Sequence, residues 1–322
     1  MKSIKLLVIV GPTSSGKSEL AVKFAKRFNG EIISCDSRQI YKGMDLGTGK
    51  IPGRWHKFYG RKIYVYKNIP HHLIDSISPK KQCSVALFQE AAKKTIDDIL
   101  ARGKLPILCG GTMHWIDAIV YDQLLPDVKP NAKLRKRLKK KNADDLYQLL
   151  KKLDHARAKT VDKHNKRRLI RALEIVITTG KPIPSSKIKD KKLRMYDALW
   201  LGIKVPQKIL DQKIKKRLLQ RIKNGMIDEV KNLHTPPKIG GVAEGRGGIF
   251  WRRLESFGLE YRHVSLYLQG KMGYEEMIAK LSLAIRQYSK RQMTWWKRNK
   301  EIKWIKPDFA KATKLTKSFL SR

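Results

Sequence analysis

The chain has 322 residues, 41% of them hydrophobic, so it is long enough for two domains or for one domain with a large insertion. It contains 71 Lys and Arg but only 28 Asp and Glu. The resulting net charge of +43 favours a polyanionic partner over the alternative that all proteins of the source are basic. Cys35, Cys83 and Cys109 are too scattered for a disulfide framework or a zinc ribbon. Without a signal peptide or an 18-residue apolar run, we expect a soluble, cytoplasmic protein.

Strands and helices are predicted to alternate in the first third of the chain. Ile4–Val10 is an apolar strand, and a glycine loop then leads into a helix that stops at Asn29-Gly30. The pattern next predicts a strand over Glu31–Cys35, a helix over Val85–Leu100 and a strand over Leu105–Cys109. This alternation predicts an α/β fold with a parallel sheet, flanking helices and ligands at the carboxyl ends of its strands.

A basic helical insertion is predicted over residues 127–194. Between Lys129 and Arg194 there are 23 Lys and Arg but only 6 Asp and Glu, and strand patterns are absent. Helical periodicity through Leu169 and Leu173 runs up to a stop at Gly180. We therefore predict a catalytic core from residues 1–126 and 195–322, interrupted by a helical subdomain.

The remaining third of the chain is predicted to return to the sheet. Leu199–Val205 has the pattern of a strand, and Ile209–Ile222 and Tyr274–Trp296 have that of long amphipathic helices. A glycine-rich stretch, 240–248, separates these two helices.

A phosphate-binding loop follows the first strand. The residues from Gly11 to Ser18, GPTSSGKS, match G-x-x-x-x-G-K-[ST] between a predicted strand and a predicted helix. Backbone N–H groups and the helix N-terminus would surround a diphosphate, Lys17 would reach its terminal phosphate, and the Ser18 hydroxyl would ligate Mg²⁺. The predicted diphosphate-binding residues are Gly11, Thr13, Ser14, Ser15, Gly16, Lys17 and Ser18.

The acidic residue expected for ATP hydrolysis is not at the end of the later strand Leu105–Cys109, because Gly110-Gly111-Thr112 follows it. An acid instead follows Glu31–Cys35, at Asp36, where we expect it at the carboxyl end of a strand that adjoins the phosphate loop. Asp36 suits a catalytic carboxylate there, although a turn or helix-capping Asp suits the same position.

Several segments together resemble the tRNA dimethylallyltransferases, also called tRNA isopentenyltransferases. They are the phosphate loop, DSRQIYKGMDLGTGK from Asp36, ARGKLPILCGGTMHW from Ala101, RRLIRALEI from Arg167, NGMIDEV from Asn224, GLEYRHVSLYLQGKMGYEEM from Gly258 and RQYSKRQMTWW from Arg286. Their order and spacing agree with the family over nearly the whole chain. The resemblance implies transfer of a dimethylallyl group from its diphosphate to N6 of the adenosine adjacent to the anticodon.

The resemblance also implies roles for single residues. Asp36 matches the family's general base, Thr112 matches a residue that orients the reacting groups, and Arg217 matches an arginine that faces the diphosphate. Contacts to tRNA are implied for Asp36, Ser37, Arg38, Gln39, Thr112, Arg135, Arg167, Arg168, Leu169, Ile170 and Arg171. The basic insertion would grip the anticodon stem of tRNA, with the target base flipped out of its stack. A solvated basic face is the alternative for the insertion.

Two features set this chain apart within the family. The stretch 235–255 is longer than in most bacterial members, and no pair of cysteines and pair of histidines is present near residue 322, so we expect the bacterial type without a zinc finger. The sequence leaves three other hypotheses open: an ATP-dependent kinase, an RNA-binding nucleotide switch and an isopentenyltransferase of free adenine nucleotides. Nothing in the sequence requires more than a monomer.

Overall fold

A computed structural model describes residues 4–58, 60–184, 195–235, 248–306 and 309–322. The chain divides into two compact units, one formed by Met1–Val120 with Arg194–Arg322 and the other by Tyr121–Leu193. The second unit begins before the predicted boundary at residue 127. Most of the glycine-rich stretch 240–248, and much of the longer stretch 235–255, lies outside the described residues.

The first unit contains all the strands of the described chain and most of its longer helices. Its strands are β1 Ile4–Val10, β2 Gly30–Ser34, β3 Arg54–Phe58, β4 Arg61–Tyr66, β5 Ile69–His72, β6 Leu105–Gly110, β7 Tyr196–Ile203 and β8 Lys303–Ile305. Its helices are α1 Lys17–Arg27, α2 Val85–Ala101, α3 Met113–Val120, α8 Gln207–Lys223, α9 Met226–His234, α10 Trp251–Glu255, α11 Leu259–Leu268, α12 Tyr274–Trp296 and α13 Phe309–Leu320; the four helices between α3 and α8 along the chain belong to the second unit.

The eight strands form one sheet in the order β3-β4-β5-β2-β6-β1-β7-β8. From β5 to β8 all neighbouring strands are parallel, which confirms the predicted α/β fold with a mostly parallel sheet. One expectation was wrong: β6 lies between β1 and β2, so the strand before Asp36 does not adjoin the strand before the phosphate loop. The chain reaches β6 only after α2, and β6 then enters the sheet between the two earlier strands.

An antiparallel edge, β3-β4-β5, extends the parallel sheet and has no counterpart in the sequence prediction. β4 turns into β5 through Lys67 and Asn68, which both have left-handed backbone angles, with φ of 51° and 63°. Two consecutive left-handed residues form the tight turn that suits the twist of a hairpin. Because such a turn needs no crossover helix, the βαβ alternation gave no sign of these strands.

The sheet is buried by apolar side chains from both the strands and α1. Leu7 and Ile9 of β1 are fully buried and belong to one cluster with Phe24 of α1 and Ile107 of β6. The buried strand β1 therefore fixes the position at which the phosphate loop leaves the sheet. β1 and α12 have the predicted bounds, and the other predicted elements differ by a few residues at their ends.

The second unit is helical, with α4 Ala132–Lys139, α5 Ala143–Leu153, α6 His155–Thr160 and α7 Lys166–Thr179. Its core contains Leu138, Leu146, Leu150, Leu169 and Leu173. The helix α7 ends at Gly180, which has a left-handed backbone, as the sequence predicts.

A buried carboxylate joins α4 to α7 within this unit. Glu174 is fully buried and accepts hydrogen bonds from the Asn131 amide, from Nε and Nη2 of Arg135 and from Nη1 of Arg171, all at 2.7 Å. Burial by itself would raise the pKa of Glu174, but these hydrogen bonds outweigh it and lower the pKa to about 2. Glu174 is therefore charged and is held by two arginines.

Because the pKa of Glu174 is lower in the folded state, its charge stabilises the unit above the ordinary value of 4.5, and this contribution disappears as the pH falls toward 2. We expect the urea midpoint to drop between about pH 5 and about pH 3, and to drop less in Glu174→Gln. Circular dichroism during urea titration measures this. Asp144→Asn, at an exposed acid on α5, is the matched control and should keep the wild-type pH dependence. An equal drop in wild type and Glu174→Gln would contradict the assignment.

Candidate diphosphate and prenyl-transfer site

The phosphate loop connects the end of β1 to the start of α1. Gly16 precedes α1 with φ of 91°, a left-handed conformation that glycine adopts without strain, and Ser14 is also left-handed, with φ of 61°. No side chain caps the first turn of α1, so its amides are available to an anion. The hydroxyl of Ser15 is buried and has no hydrogen-bond partner among the described residues. The loop thus offers several donors to a phosphate.

Three charged side chains line one cavity at the carboxyl ends of the strands: Lys17, Asp36 and Arg217. Burial lowers the pKa of Lys17, and the nearby Arg217 lowers it further, whereas Cys109 and Asp36 oppose the change. Burial also lowers the pKa of Arg217, and its neighbour Arg221 adds to that effect. Two desolvated cations beside one carboxylate leave the cavity with an excess of positive charge, which suits an anionic ligand.

Asp36 stands two residues after the end of β2. Its Oδ1 atom accepts hydrogen bonds from the amides of Arg38 at 2.9 Å and Gln39 at 3.4 Å, as in a capped turn. Within the described residues its Oδ2 atom has no hydrogen-bond partner. Asp36 can therefore be both a turn-capping residue and a catalytic carboxylate, because Oδ1 holds the turn while Oδ2 can accept a proton.

Thr112 ties the Asp36 turn to the end of β6. Its Oγ1 atom accepts a hydrogen bond from the Ser37 amide at 2.9 Å and lies 3.3 Å from the Ser37 hydroxyl, and its amide donates to the Cys35 carbonyl at 3.2 Å. These contacts hold the segment that contains Asp36, so Thr112 positions the Asp36 carboxylate from the end of the neighbouring strand.

Arg217 reaches the cavity from the middle of α8. Its Nη2 atom donates to the Gly49 carbonyl at 2.8 Å. Arg221, one turn further along α8, instead donates to the Leu46 and Gly47 carbonyls and to Glu260, and does not line the cavity. Of these two arginines, Arg217 is the one that can contact a bound diphosphate.

The cavity lining also includes apolar side chains. They are Ala21, Ile32, Ile51 and Ile74, and the His71 ring lines the cavity as well. Burial lowers the pKa of His71 to about 4, so the ring is neutral at physiological pH, and its Nδ1 atom lies 2.9 Å from the Ile69 carbonyl oxygen. A cavity lined by two cations and by several uncharged, apolar side chains suits a diphosphate with a short hydrocarbon group.

Sequence reasoning missed a residue that holds the phosphate loop. Gln292 of α12 is 2% exposed, its Oε1 atom accepts from the Thr13 amide at 2.9 Å, and its Nε2 atom donates to the Gly111 carbonyl at 3.0 Å. It thereby joins the phosphate loop to the turn after β6. The one signal for Gln292 is its place in RQYSKRQMTWW, a segment that carries no recognisable chemistry by itself. His71 and the apolar lining residues Ala21, Ile32, Ile51 and Ile74 were likewise not predicted.

Apart from Arg135 and Arg171, which bind Glu174, the other predicted tRNA residues fall into three groups. Ser37, Arg38 and Gln39 share the Asp36 turn, and Gln39 also lines the cavity. Arg167 and Arg168 are exposed at the start of α7. Leu169 and Ile170 are buried, at 0% and 7% exposure, and their contact with tRNA stays a prediction. They pack in the core of the helical unit because they lie on the apolar face of α7.

The donors available to a metal ion are few. No cluster of three or more His, Cys, Asp or Glu side chains with metal-binding geometry occurs in the described ranges of the chain. Ser18 lies on the cavity wall beside Lys17. One hydroxyl beside a phosphate site fits Mg²⁺, which commonly takes one or two protein ligands together with phosphate oxygens and water.

The described residues include no helix that is both long and apolar enough to span a membrane. They contain three free cysteines, of which Cys35 and Cys109 are buried.

The glycine loop between β1 and α1 defines a P-loop protein, and the charged and apolar residues of its cavity suit a diphosphate that carries a hydrocarbon group. The sequence model of the IPP transferase family matches residues 39–299, and the chain belongs to this family. It is 38% identical over 296 residues to tRNA dimethylallyltransferase 2 of Trichlorobacter lovleyi, covering 92% of this chain and 88% of that protein. It is 39% identical over 310 residues to the tRNA dimethylallyltransferase of Caldanaerobacter subterraneus, covering 94% and 92%.

Solved structures agree with this assignment. The full-length tRNA isopentenylpyrophosphate transferase of Bacillus halodurans matches with a TM-score of 0.65 and 33% identity, over 98% of this chain and 95% of that one. A eukaryotic dimethylallyltransferase acting on tRNA matches with a TM-score of 0.69 and 27% identity, over 91% of this chain and 70% of that one.

Proposed function

We propose that this chain is a tRNA dimethylallyltransferase, which transfers a dimethylallyl group from dimethylallyl diphosphate to N6 of the adenosine adjacent to the anticodon. The single observation that carries the proposal is that one cavity is lined by Lys17, Arg217 and Asp36 together with several apolar side chains. Family membership supports the same reaction, because the relatives described above are named for it.

In this proposal the diphosphate lies in the phosphate loop, and the five-carbon group lies against Ala21, Ile32 and Ile74. The loop amides, Lys17 and Arg217 bind the phosphate oxygens and stabilise the negative charge that grows on the leaving diphosphate. Mg²⁺, held by Ser18, would add positive charge to the same oxygens. Because these groups are already in place, little reorganisation is needed when the carbon–oxygen bond breaks.

Asp36 acts on the acceptor. The N6 nitrogen of the flipped adenosine forms a bond to C1 of the dimethylallyl group while the bond from C1 to the diphosphate oxygen breaks, and Oδ2 of Asp36 takes the proton that N6 loses. Thr112 and the two backbone amides keep the carboxylate in place through the Ser37 and Oδ1 contacts. Every group in this scheme comes from one chain, and we propose that it acts as a cytoplasmic monomer.

The helical unit is proposed to bind the anticodon stem. An open groove of about 590 Å³ in this unit is lined by Lys133, Lys136, Arg137 and Lys140. The exposed Arg167 and Arg168 add further positive charge, and Arg135 and Arg171, each a little over a third exposed, retain N–H groups beyond those bound to Glu174. A row of phosphates is the partner that such a surface suits, which disfavours a free adenine nucleotide as the acceptor.

Salt dependence tests this role. We expect the logarithm of tRNA affinity to fall steeply with the logarithm of salt concentration, and Arg167→Gln or Arg168→Gln to reduce the slope by about one phosphate contact each. Filter binding over a salt series measures the slope. Lys26→Gln, at an exposed position near the end of α1 distant from the phosphate loop, is the control and should leave the slope unchanged. A flat dependence in the wild type would contradict tRNA binding by this unit.

The reaction itself is tested by incubating the protein with Mg²⁺, labelled dimethylallyl diphosphate and unmodified tRNA, then digesting the tRNA for mass spectrometry. We expect prenylated adenosine in the wild type and none above background in Asp36→Ala. ATP-dependent phosphate transfer in place of prenylation would overturn the proposal in favour of a kinase.

A further inference from the structure

A carboxylate outside the cavity organises the loop formed by residues 45–49. Glu229 of α9 accepts hydrogen bonds at Oε2 from the amides of Asp45 at 2.8 Å and Leu46 at 2.6 Å. Its Oε1 atom accepts from the Gly47 amide at 2.9 Å and from the Tyr261 hydroxyl at 2.6 Å. Three consecutive amides and one hydroxyl thus converge on a single charge, and such charge-assisted hydrogen bonds are stronger than neutral ones.

The carbonyl groups of the same loop point to the cavity residues. The Gly49 carbonyl accepts from Nη2 of Arg217 at 2.8 Å and from Nε2 of Gln39 at 3.2 Å, and the Thr48 carbonyl also accepts from Gln39. The 45–49 loop therefore has Glu229 on its amide side and two residues of the site on its carbonyl side. A shift of the loop would move Arg217 and the Asp36 turn together.

The loop leaves little room for adjustment. A Cβ atom at Gly49 would lie 2.6 Å from Nη2 of Arg217, and one at Gly47 would lie 2.6 Å from the Tyr261 ring. Arg221 also binds the loop, through the Leu46 and Gly47 carbonyls, and its positive charge lies close to that of Arg217. Two neighbouring guanidinium groups repel each other, so the carbonyl groups of the loop are needed to hold both in place.

We propose that Glu229 is a positioning residue for the transfer reaction, because it fixes the 45–49 loop whose Gly49 carbonyl directs Arg217 toward the diphosphate. Glu229 touches neither substrate in this proposal, and it acts through Arg217. The proposal rests on the proposed function for its chemistry, but its effect on diphosphate binding can be measured without any transfer.

Glu229→Gln is the informative variant, because it keeps the side-chain size while replacing one acceptor oxygen with an NH₂ group that faces donors. We expect kcat/KM for dimethylallyl diphosphate to fall by about 100-fold, the scale of a displaced catalytic group. Calorimetric titration with inorganic pyrophosphate and Mg²⁺ should show weaker binding as well. Glu31→Gln is the matched control: Glu31 is also buried and paired, with His72 and Arg102, but has no contact with the loop. It should bind pyrophosphate as the wild type does.

A double-mutant cycle separates positioning from general destabilisation. If Glu229 acts through Arg217, pyrophosphate affinity in the pair Arg217→Gln with Glu229→Gln should equal that of Arg217→Gln alone. Losses that multiply, or wild-type affinity in Glu229→Gln, would overturn the proposal. Should Glu229→Gln fail to fold, Tyr261→Phe removes one of the four donors, and its smaller loss should likewise vanish in the Arg217→Gln background.

The same measurements distinguish the two proposals. A wild-type protein that binds pyrophosphate but transfers no prenyl group to tRNA would contradict the proposed function. The double-mutant cycle measured by pyrophosphate affinity would still decide the role of Glu229.

Discussion

Asp36→Asn is expected to lower kcat for tRNA prenylation by roughly 10²- to 10⁴-fold, the usual contribution of a general base. The asparagine Oδ1 atom can still accept the hydrogen bonds from the amides of Arg38 and Gln39, so the turn should persist. What is lost is the carboxylate oxygen that we propose takes the proton from N6. Single-turnover kinetics with saturating tRNA and dimethylallyl diphosphate measure the chemical step directly.

Two comparisons make this result specific. The thermal midpoint and the tRNA affinity of Asp36→Asn should match those of the wild type, whereas Asp36→Ala should also lose about 1 kcal/mol of stability, because it removes the turn acceptor. A parallel loss of tRNA binding and turnover in Asp36→Asn would show that the residue serves the structure instead of the proton transfer.

Lys17→Met is the second substitution with a large expected effect. It should reduce kcat/KM for dimethylallyl diphosphate by at least 10²-fold, because the desolvated ammonium group no longer stabilises the leaving diphosphate. The burial that lowers the pKa of Lys17 also means that its charge is costly in the absence of ligand. We therefore expect the substrate-free variant to be no less stable than the wild type.

Differential scanning calorimetry with and without pyrophosphate tests both parts of this prediction. The wild type should gain stability with increasing pyrophosphate, as ligand linkage requires, and Lys17→Met should gain little. Lys23→Met, at an exposed position on α1, is the matched control and should respond as the wild type does. An unaltered response in Lys17→Met would remove Lys17 from the diphosphate site.

Most of the parallel sheet was predictable because its strands are continuous apolar runs next to amphipathic helices. β1 and β6 are such apolar runs, and the phosphate loop after β1 carries a motif with fixed spacing. The antiparallel edge was not predictable, because β3 shows no alternation of apolar and polar residues and its residues 54–57 are exposed. The order of β1, β6 and β2 was also outside the reach of sequence patterns, since it depends on long-range pairing.

The site residues likewise divide into those that the sequence could predict and those that it could not. Lys17 and Ser18 lie in a local motif, and Asp36 could be singled out by its place after a strand. Arg217 needed the family resemblance, because one arginine in a basic helix has no local signal. Gln292 and Glu229 were missed because each binds backbone groups that are far away in the sequence. The Thr13 amide is 279 residues from Gln292, and the amides bound by Glu229 are 182 to 184 residues from it. Residue type and spacing carry no trace of such partners.

The contact between Gln292 and the Thr13 amide has a consequence for the order in which the enzyme becomes competent. Thr13 of the phosphate loop precedes Gln292 of α12 by 279 residues, so the ribosome makes the loop long before it makes the side chain that holds the loop. A nascent chain that stops before residue 292 lacks the side chain that joins the loop to Gly111. The loop sequence is therefore present well before the contact that fixes its geometry can form.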